Sequence, residues 1–288
     1  FFIGILRYVN IQNSSVMMDT FIIFLLVCIF LYSLCGGKIP WQRANNKLLY
    51  ISLVWMIYVF FELFNPSAVI EAWVYTRNSF YNFTLLVLLT SLLLSRVLDI
   101  KRILFLLSIF TLIAIAKALI QRYIGFDAGE NAWLIRSESY KTHLLPSGIR
   151  YFSIFSDAGN FGSNMGMAAV VFMILSFYMS NKKLRYYYRF VSLLAAYGLI
   201  MSGTRGAMIV PLGGLAMFIL LNKNVRYIVG GAICLLFIYI FFAQTHIWDS
   251  NRQIHRMRTA FHPEKDASYL VRKANQKRLA EYMVHKPF

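Results

Sequence analysis

Residues 103–120 read Ile-Leu-Phe-Leu-Leu-Ser-Ile-Phe-Thr-Leu-Ile-Ala-Ile-Ala-Lys-Ala-Leu-Ile, an apolar run whose single charge, Lys117, lies near its end. A helix that crosses a bilayer needs about 17–25 such residues, and strands of globular proteins are far shorter. Lys101 and Arg102 close the run on one side. Working outward, comparable runs occupy about 1–11, 16–35, 48–64, 80–98, 161–179, 189–201, 207–221 and 226–242. The expectation is an all-α fold, a polytopic membrane helical bundle of about nine spans with a large, partly helical outer loop.

Composition supports this. The chain is 59% hydrophobic and only 14% charged, where a soluble domain keeps about a quarter of its residues charged. A net charge of +17 would point to nucleic acid in a soluble protein. Here the cations sit mainly in short gaps between apolar runs, where they orient helices, so membrane lipids and not nucleic acid are the expected surroundings. Cys28, Cys35 and Cys234 have neither Cys-x-x-Cys spacing nor a nearby His, and read as small buried hydrophobes. The chain opens on Phe1-Phe2 without an initiator Met and ends at Lys286-Pro287-Phe288 inside what reads as an ordered segment. It is therefore read as a fragment: a membrane domain over 1–242, then the start of a large outer loop over 243–288, with further spans to follow.

The gaps give an orientation. Lys38, Arg43 and Lys47 mark one as cytoplasmic, as do Arg96, Lys101 and Arg102, then Lys182, Lys183, Arg185 and Arg189, then Lys223 and Arg226. The gaps between them, such as 65–79 with Arg77, are poor in cations. This alternation puts residues 121–160, the turn near 202–207, and residues 243–288 outside. The last of these is rich in cations, but long loops escape the charge rule.

Three outer stretches could carry chemistry. In Ser202-Gly203-Thr204-Arg205-Gly206-Ala207, Arg205 is the only formal charge between Phe190 and Leu221. An arginine near membrane depth is costly and usually has a partner or a task. It can grip a phosphate through two parallel hydrogen bonds, with glycines allowing close backbone approach. Equally, it can snorkel from a tight hairpin to the headgroups. The second stretch, Arg150-Tyr151-Phe152-Ser153-Ile154-Phe155-Ser156-Asp157-Ala158-Gly159-Asn160-Phe161-Gly162, leads into a helix rich in small residues. Those residues favour close helix packing. Asp157 and Asn160 are candidate caps for it, and Arg150 and Asp157 stand where they could also meet a polar ligand. The third is a helix expected over 264–283, with Pro263 before it and Asp266 as a cap. Leu270, Val271, Ala274 and Tyr282 share one face with Arg278, and Arg272 lies at its border. An amphipathic helix resting on the membrane accounts for this as well as a ligand site does.

These stretches resemble the O-antigen ligase and O-antigen polymerase-like family of bacterial envelope proteins. The resemblance is carried by Arg150-to-Gly162, by Ser202-to-Ala207, and by Asp266-Ala267-Ser268-Tyr269-Leu270-Val271-Arg272, with Val284-His285-Lys286-Pro287-Phe288 similar to the lead-in of a Gly-rich loop. It covers the second half of the chain by motif and the first half by helix pattern. It implies a type C glycosyltransferase-like membrane fold at the periplasmic face of the bacterial inner membrane. The implied reaction moves a glycan from undecaprenyl diphosphate to an acceptor hydroxyl on a lipid or glycan, with no metal or other cofactor. By position, Arg205 and Arg272 match the arginines that hold the diphosphate. The family's proposed catalytic histidine would lie beyond Phe288, and His285 is too early to replace it with assurance, though it remains a candidate beside the substrate.

Two guanidinium groups can neutralise a departing diphosphate as a metal would, and the attacking hydroxyl still needs a base. Asp157, Glu264, Asp266, Glu281, His143, His246, His255, His262 and His285 are the available bases, and no spacing singles one out. A ligase and a polymerase of repeat units differ only in the acceptor. A flippase for lipid-linked sugar is the competing class. It would call for several charges within the spans or for repeated halves. Glu62, Lys117 and Arg205 are nearly all the spans offer.

Overall fold

The computed structural model describes residues 14–65, 68–76, 80–94, 96–146, 148–222, 225–248, 250, 252–258, 261 and 267–285. The apolar segment at 1–11 lies outside these residues, as do Arg77, Lys223, Asn251, His262, Pro263, Glu264 and Asp266. Each of the other eight apolar segments falls on a helix. Three stretches are long and apolar enough to cross a membrane: Lys47–Phe64, Val97–Tyr123 and Ala158–Tyr178. The protein is thus a helical one of the membrane type. One local departure from an all-α chain is a small hairpin, in which Leu144 pairs with Ile149 and Leu145 with Gly148.

The chain divides into two compact units, drawn from residues 11–104 and 105–285. The first holds α1 (Ser14–Leu34), α2 (Lys47–Phe61), α3 (Ile70–Thr76) and α4 (Tyr81–Leu93). Its core is Ile22, Ile29, Leu89 and Leu92. Apolar contact alone does little to hold helices together in lipid, so polar rungs between them matter. Asn46 caps α2 by accepting from the Leu49 N–H at 2.9 Å, and its Nδ2 donates to Ser91 Oγ at 3.0 Å. Asn82 Nδ2 donates to Asp19 Oδ1 at 2.7 Å, and Thr84 Oγ1 to the Ser52 carbonyl at 3.1 Å. The cysteine expectation fails: Cys28, Cys35 and Cys234 are all exposed. Cys28 and Cys234 sit on outward faces of apolar helices, where a bilayer and not protein would cover them, and Cys35 lies in the turn after α1.

Helix α5 (Val97–Tyr123) leads into the second unit, followed by α6 (Ala128–Arg136), the short α7 (Tyr140–His143), the hairpin β1 (Leu144–Leu145) and β2 (Gly148–Ile149), α8 (Ala158–Tyr178) and α9 (Lys182–Ser202). After a 3-10 turn at Arg205–Met208 come α10 (Ile209–Leu221), α11 (Val225–Ala243), α12 (Arg252–Arg258) and α13 (Ala267–His285). Helices α8 and α9 form the heart of this unit. Phe161, Met165 and Phe172 of α8 are buried with Tyr188, Val191 and Ala195 of α9, and the Phe172 and Tyr188 rings stack 5.6 Å apart. Ser192 Oγ donates to the Ala169 carbonyl at 2.6 Å, an approach that the small residues of α8 permit.

Lys117 finds its partners in the segment after α5. Its Nζ lies 2.7 Å from Asp127 and 3.1 Å from Glu130, and these two residues close a capping box at the start of α6. Glu130 is 1% exposed and accepts from Gln121 Nε2 at 2.7 Å, while Gln121 holds both backbone groups of Ser153. The charge is thus accounted for structurally, as an anchor for residues 124–157. Glu130→Ala leaves Lys117 with Asp127 alone, takes the buried acceptor away from Gln121 Nε2, and should destabilise the fold by about 2 kcal/mol. Thermal unfolding in detergent measures this, and an unchanged midpoint would rule the anchor out.

Candidate functional site

The turn after α9 is built for close approach. Gly203 closes α9 in the left-handed region at φ +56°, with its N–H donating to the Ile200 carbonyl at 3.0 Å. Thr204 N–H donates to Ser202 Oγ at 3.2 Å, and the 3-10 turn then begins at Arg205. Helix α8 packs against this turn without room for a side chain. A Cβ on Gly162 would meet Ser202 Oγ at 2.4 Å, and one on Gly166 would meet Pro211 Cδ at 2.9 Å. The small residues noted in the sequence at the start of α8 therefore seat the Arg205 turn.

Thr204 is the knot of the arrangement. Its Oγ1 accepts from Arg150 Nη2 at 2.8 Å and lies within donating distance of the Ala158 and Ser202 carbonyls, at 3.0 and 3.2 Å. Arg150 Nη1 donates to the Thr142 carbonyl at 3.2 Å, while its Nε is buried with no hydrogen-bond partner. Burial draws the Arg150 guanidinium below its ordinary pKa; the Asp157 carboxylate opposes this and the charge of Arg205 adds to it. An arginine still remains cationic throughout the working range.

Arg150 and Arg205 line a cavity of about 400 Å³ together with Arg256 of α12 and Arg272 of α13. Among the described residues, none that lines it is acidic. Its wall also presents Thr204 and the aromatic rings of Phe261 and Tyr269. The four arginines come from three separate segments of the sequence, and the fold gathers them in one place. That convergence is what sequence order alone could not display.

The other expected site residues fall elsewhere. Asp157 is the N-cap of α8: one oxygen accepts from Gly159 and Asn160 N–H, the other from Asn160 Nδ2 at 2.8 Å. It is a structural cap and is not among the residues lining the cavity. Arg278 is exposed on α13, about 9 Å along the helix axis from Arg272 at 1.5 Å per residue, and also does not line the cavity. His285 ends α13, roughly 20 Å along the axis from Arg272 on the same rise, and its side chain lies outside the described residues. His143 is buried at 3% exposure. Its Nδ1 donates to the Ser139 carbonyl at 2.8 Å and its Nε2 accepts from the Ala158 N–H at 3.3 Å, which fixes the neutral tautomer. That lone pair is spent on the start of α8, so His143 serves the fold and not proton transfer.

Helix α13 corrects one expectation in detail. Its apolar and charged side chains are spread around it without a dominant stripe, and every residue from Tyr269 to Val284 is exposed. Tyr269 and Arg272 on its first turns nevertheless face the cavity. Arg256 does not stand out in the sequence, because cations are common throughout residues 243–288. The available signal was the density of cations in Arg252-Gln253-Ile254-His255-Arg256-Met257-Arg258. No family model, curated protein or solved structure matches this chain.

Proposed function

We propose that this protein transfers a glycan from undecaprenyl diphosphate to an acceptor hydroxyl at the periplasmic face of the bacterial inner membrane, in the manner of an O-antigen ligase. The observation that carries the reading is the meeting of Arg205 and Arg272 in one cavity that, among the described residues, has no lining carboxylate. These are the two positions that the motif resemblance assigned to the diphosphate. Around them, the proposal takes the chain to be a type C glycosyltransferase-like bundle of about nine spans.

The chemistry follows from charge. As the acceptor oxygen bonds to the anomeric carbon, the bond from that carbon to the diphosphate oxygen breaks and negative charge grows on the leaving group. Planar guanidinium groups placed there stabilise that charge more in the transition state than in the ground state. The hydroxyl proton passes to a base. A polymerase of repeat units would use the same cavity with a second lipid-linked glycan as acceptor.

The test uses purified full-length protein in proteoliposomes with chelator present and an undecaprenyl-diphosphate-linked glycan as donor. Glycan should appear on the acceptor in equal amount to the undecaprenyl diphosphate released, and inorganic pyrophosphate should inhibit by competing for the cavity. Formation of undecaprenyl diphosphate with free glycan released to water, and none on the acceptor, would assign hydrolysis instead. Movement of intact donor across the membrane with neither product would favour the flippase.

A further inference from the structure

The first unit, residues 11–104, holds another cavity, of about 330 Å³, near the end where α1 and α4 finish. Its walls are apolar, with Leu25, Cys28 and Ile29 from α1 and Leu92 and Leu93 from α4. Among the described residues, Lys38 is the one charge that lines it, and Tyr32 adds a hydroxyl. Leu25 and Leu93 remain 44% and 49% exposed, so the groove is open on the outside of the helix pair.

The fold makes no use of the Lys38 charge. Helix α1 is closed by its own backbone. Gly36, at φ +83°, donates its N–H to the Ser33 carbonyl at 3.2 Å, and the Gly37 N–H donates to the Tyr32 carbonyl at 2.9 Å. That closure satisfies the last carbonyls without a cation. The Tyr32 ring lies over Gly37, where a Cβ would come within 2.3 Å of it, which sets the next residue, Lys38, beside the ring. Neither the Lys38 ammonium nor the Tyr32 hydroxyl has a hydrogen-bond or ion-pair partner among the described residues. The sequence supplies no carboxylate here either: no Asp or Glu occurs in residues 20–61 or 72–98. Arg43 and Lys47 follow Lys38, and Trp41 and Tyr50 are exposed in the same stretch. Cations interleaved with exposed Trp and Tyr are the composition that membrane proteins place at the headgroup level.

An apolar groove that ends on an unneutralised cation at that level matches an amphiphile with an anionic head. A zwitterionic lipid would bring its own ammonium group up to Lys38, Arg43 and Lys47, and like charges repel. A second copy of this chain docked by the same face would set Lys38 against Lys38. We infer that the groove binds an anionic phospholipid, with one acyl chain lying along Leu25, Ile29 and Leu93 and the phosphate held by Lys38 and the Tyr32 hydroxyl. The fit is of a recognised kind, since basic pockets between membrane helices take anionic headgroups.

Cys28 reports occupancy. It is an exposed thiol on the groove wall, whereas Cys35 is exposed but does not line the groove. Full-length protein in dodecyl maltoside is treated with N-ethylmaleimide in the presence of dimyristoyl phosphatidylglycerol or dimyristoyl phosphatidylcholine. Peptide mass spectrometry then follows the alkylation of each cysteine. Phosphatidylglycerol should slow Cys28 relative to Cys35, and at concentrations about fivefold lower than phosphatidylcholine needs, the effect of one cation on an anionic headgroup. Lys38→Gln should bring the two lipids level. Lys38→Arg should keep the preference, which separates loss of the charge from damage to the turn. Equal potency of the two lipids on the wild-type protein overturns the inference, because the groove would then take acyl chains without reading the head. A preference undiminished in Lys38→Gln also overturns it, by placing the selectivity on diffuse surface charge. So does a Cys28 rate that neither lipid changes. Protection of Cys28 that rises with protein concentration and needs no lipid would assign the groove to a second copy instead.

Discussion

Arg205→Ala should lower glycan transfer by about 10² to 10³ with little change in membrane insertion or thermal stability. The magnitude is that of removing one donor to charge that develops in a transition state. The structural side follows from the turn itself. Gly203, Thr204 and the first turn of α8 are fixed by Ser202, Arg150 and Ala158. Arg205→Lys should recover only part of the rate, because an ammonium keeps the charge but lacks the planar fork that grips two oxygens at once. The measurement is initial rate against donor concentration in proteoliposomes, with insertion checked by protease protection. A snorkelling arginine predicts the reverse pattern: full activity in Arg205→Ala and, where any effect appears, a change in the depth or stability of the helix pair. Full activity in that variant would falsify the catalytic role.

How far the sequence foretold this can be judged residue by residue. Apolar runs determine helices because a backbone in lipid must satisfy its own hydrogen bonds, and eight of the expected segments accordingly coincide with helices. The isolation of Arg205 between Phe190 and Leu221 made it visible at once. Asp157 was legible as a cap because its pattern, an acid followed by a small-residue helix, is local. Arg256 was not legible. It lies in a loop where cations are common, and only the approach of α12 to Gly203 distinguishes it from Arg252, which lies outside the cavity lining. His143 is one of nine candidate bases that no spacing tells apart in the sequence. An outer histidine reads as a base until its two nitrogens are found committed to Ser139 and Ala158. The absence of an apolar stripe on α13 shows a further limit. A few residues at helical spacing can be picked from nearly any helix, so the cavity-facing turn of Tyr269 and Arg272 is set by tertiary placement and not by periodicity.

The larger consequence concerns the two arginines together. If Arg205 and Arg272 act on one diphosphate, Arg205→Ala and Arg272→Ala should each cost on the order of 10² in kcat/KM, whereas the double variant should cost far less than the roughly 10⁴ of independent action. The reason is cooperative grip. Once one guanidinium is lost, the diphosphate shifts towards the remaining cations and towards water, so the second arginine no longer meets the charge in the geometry that made it valuable. Arg272 sits on an exposed helix of its own, well separated in sequence from the Arg205 turn. On the shared-diphosphate account, coupling between them runs through the ligand. It follows that the two changes should be additive in thermal stability measured without substrate and strongly non-additive in transfer. Thermal unfolding of the four proteins in the cycle, set beside their transfer rates, reads both quantities. Multiplicative losses in rate would assign the arginines to separate steps, with Arg272 serving to dock the loop. Non-additivity in unfolding without ligand would mean that the pair is coupled through the fold, and the shared-phosphate account would give way to a structural one.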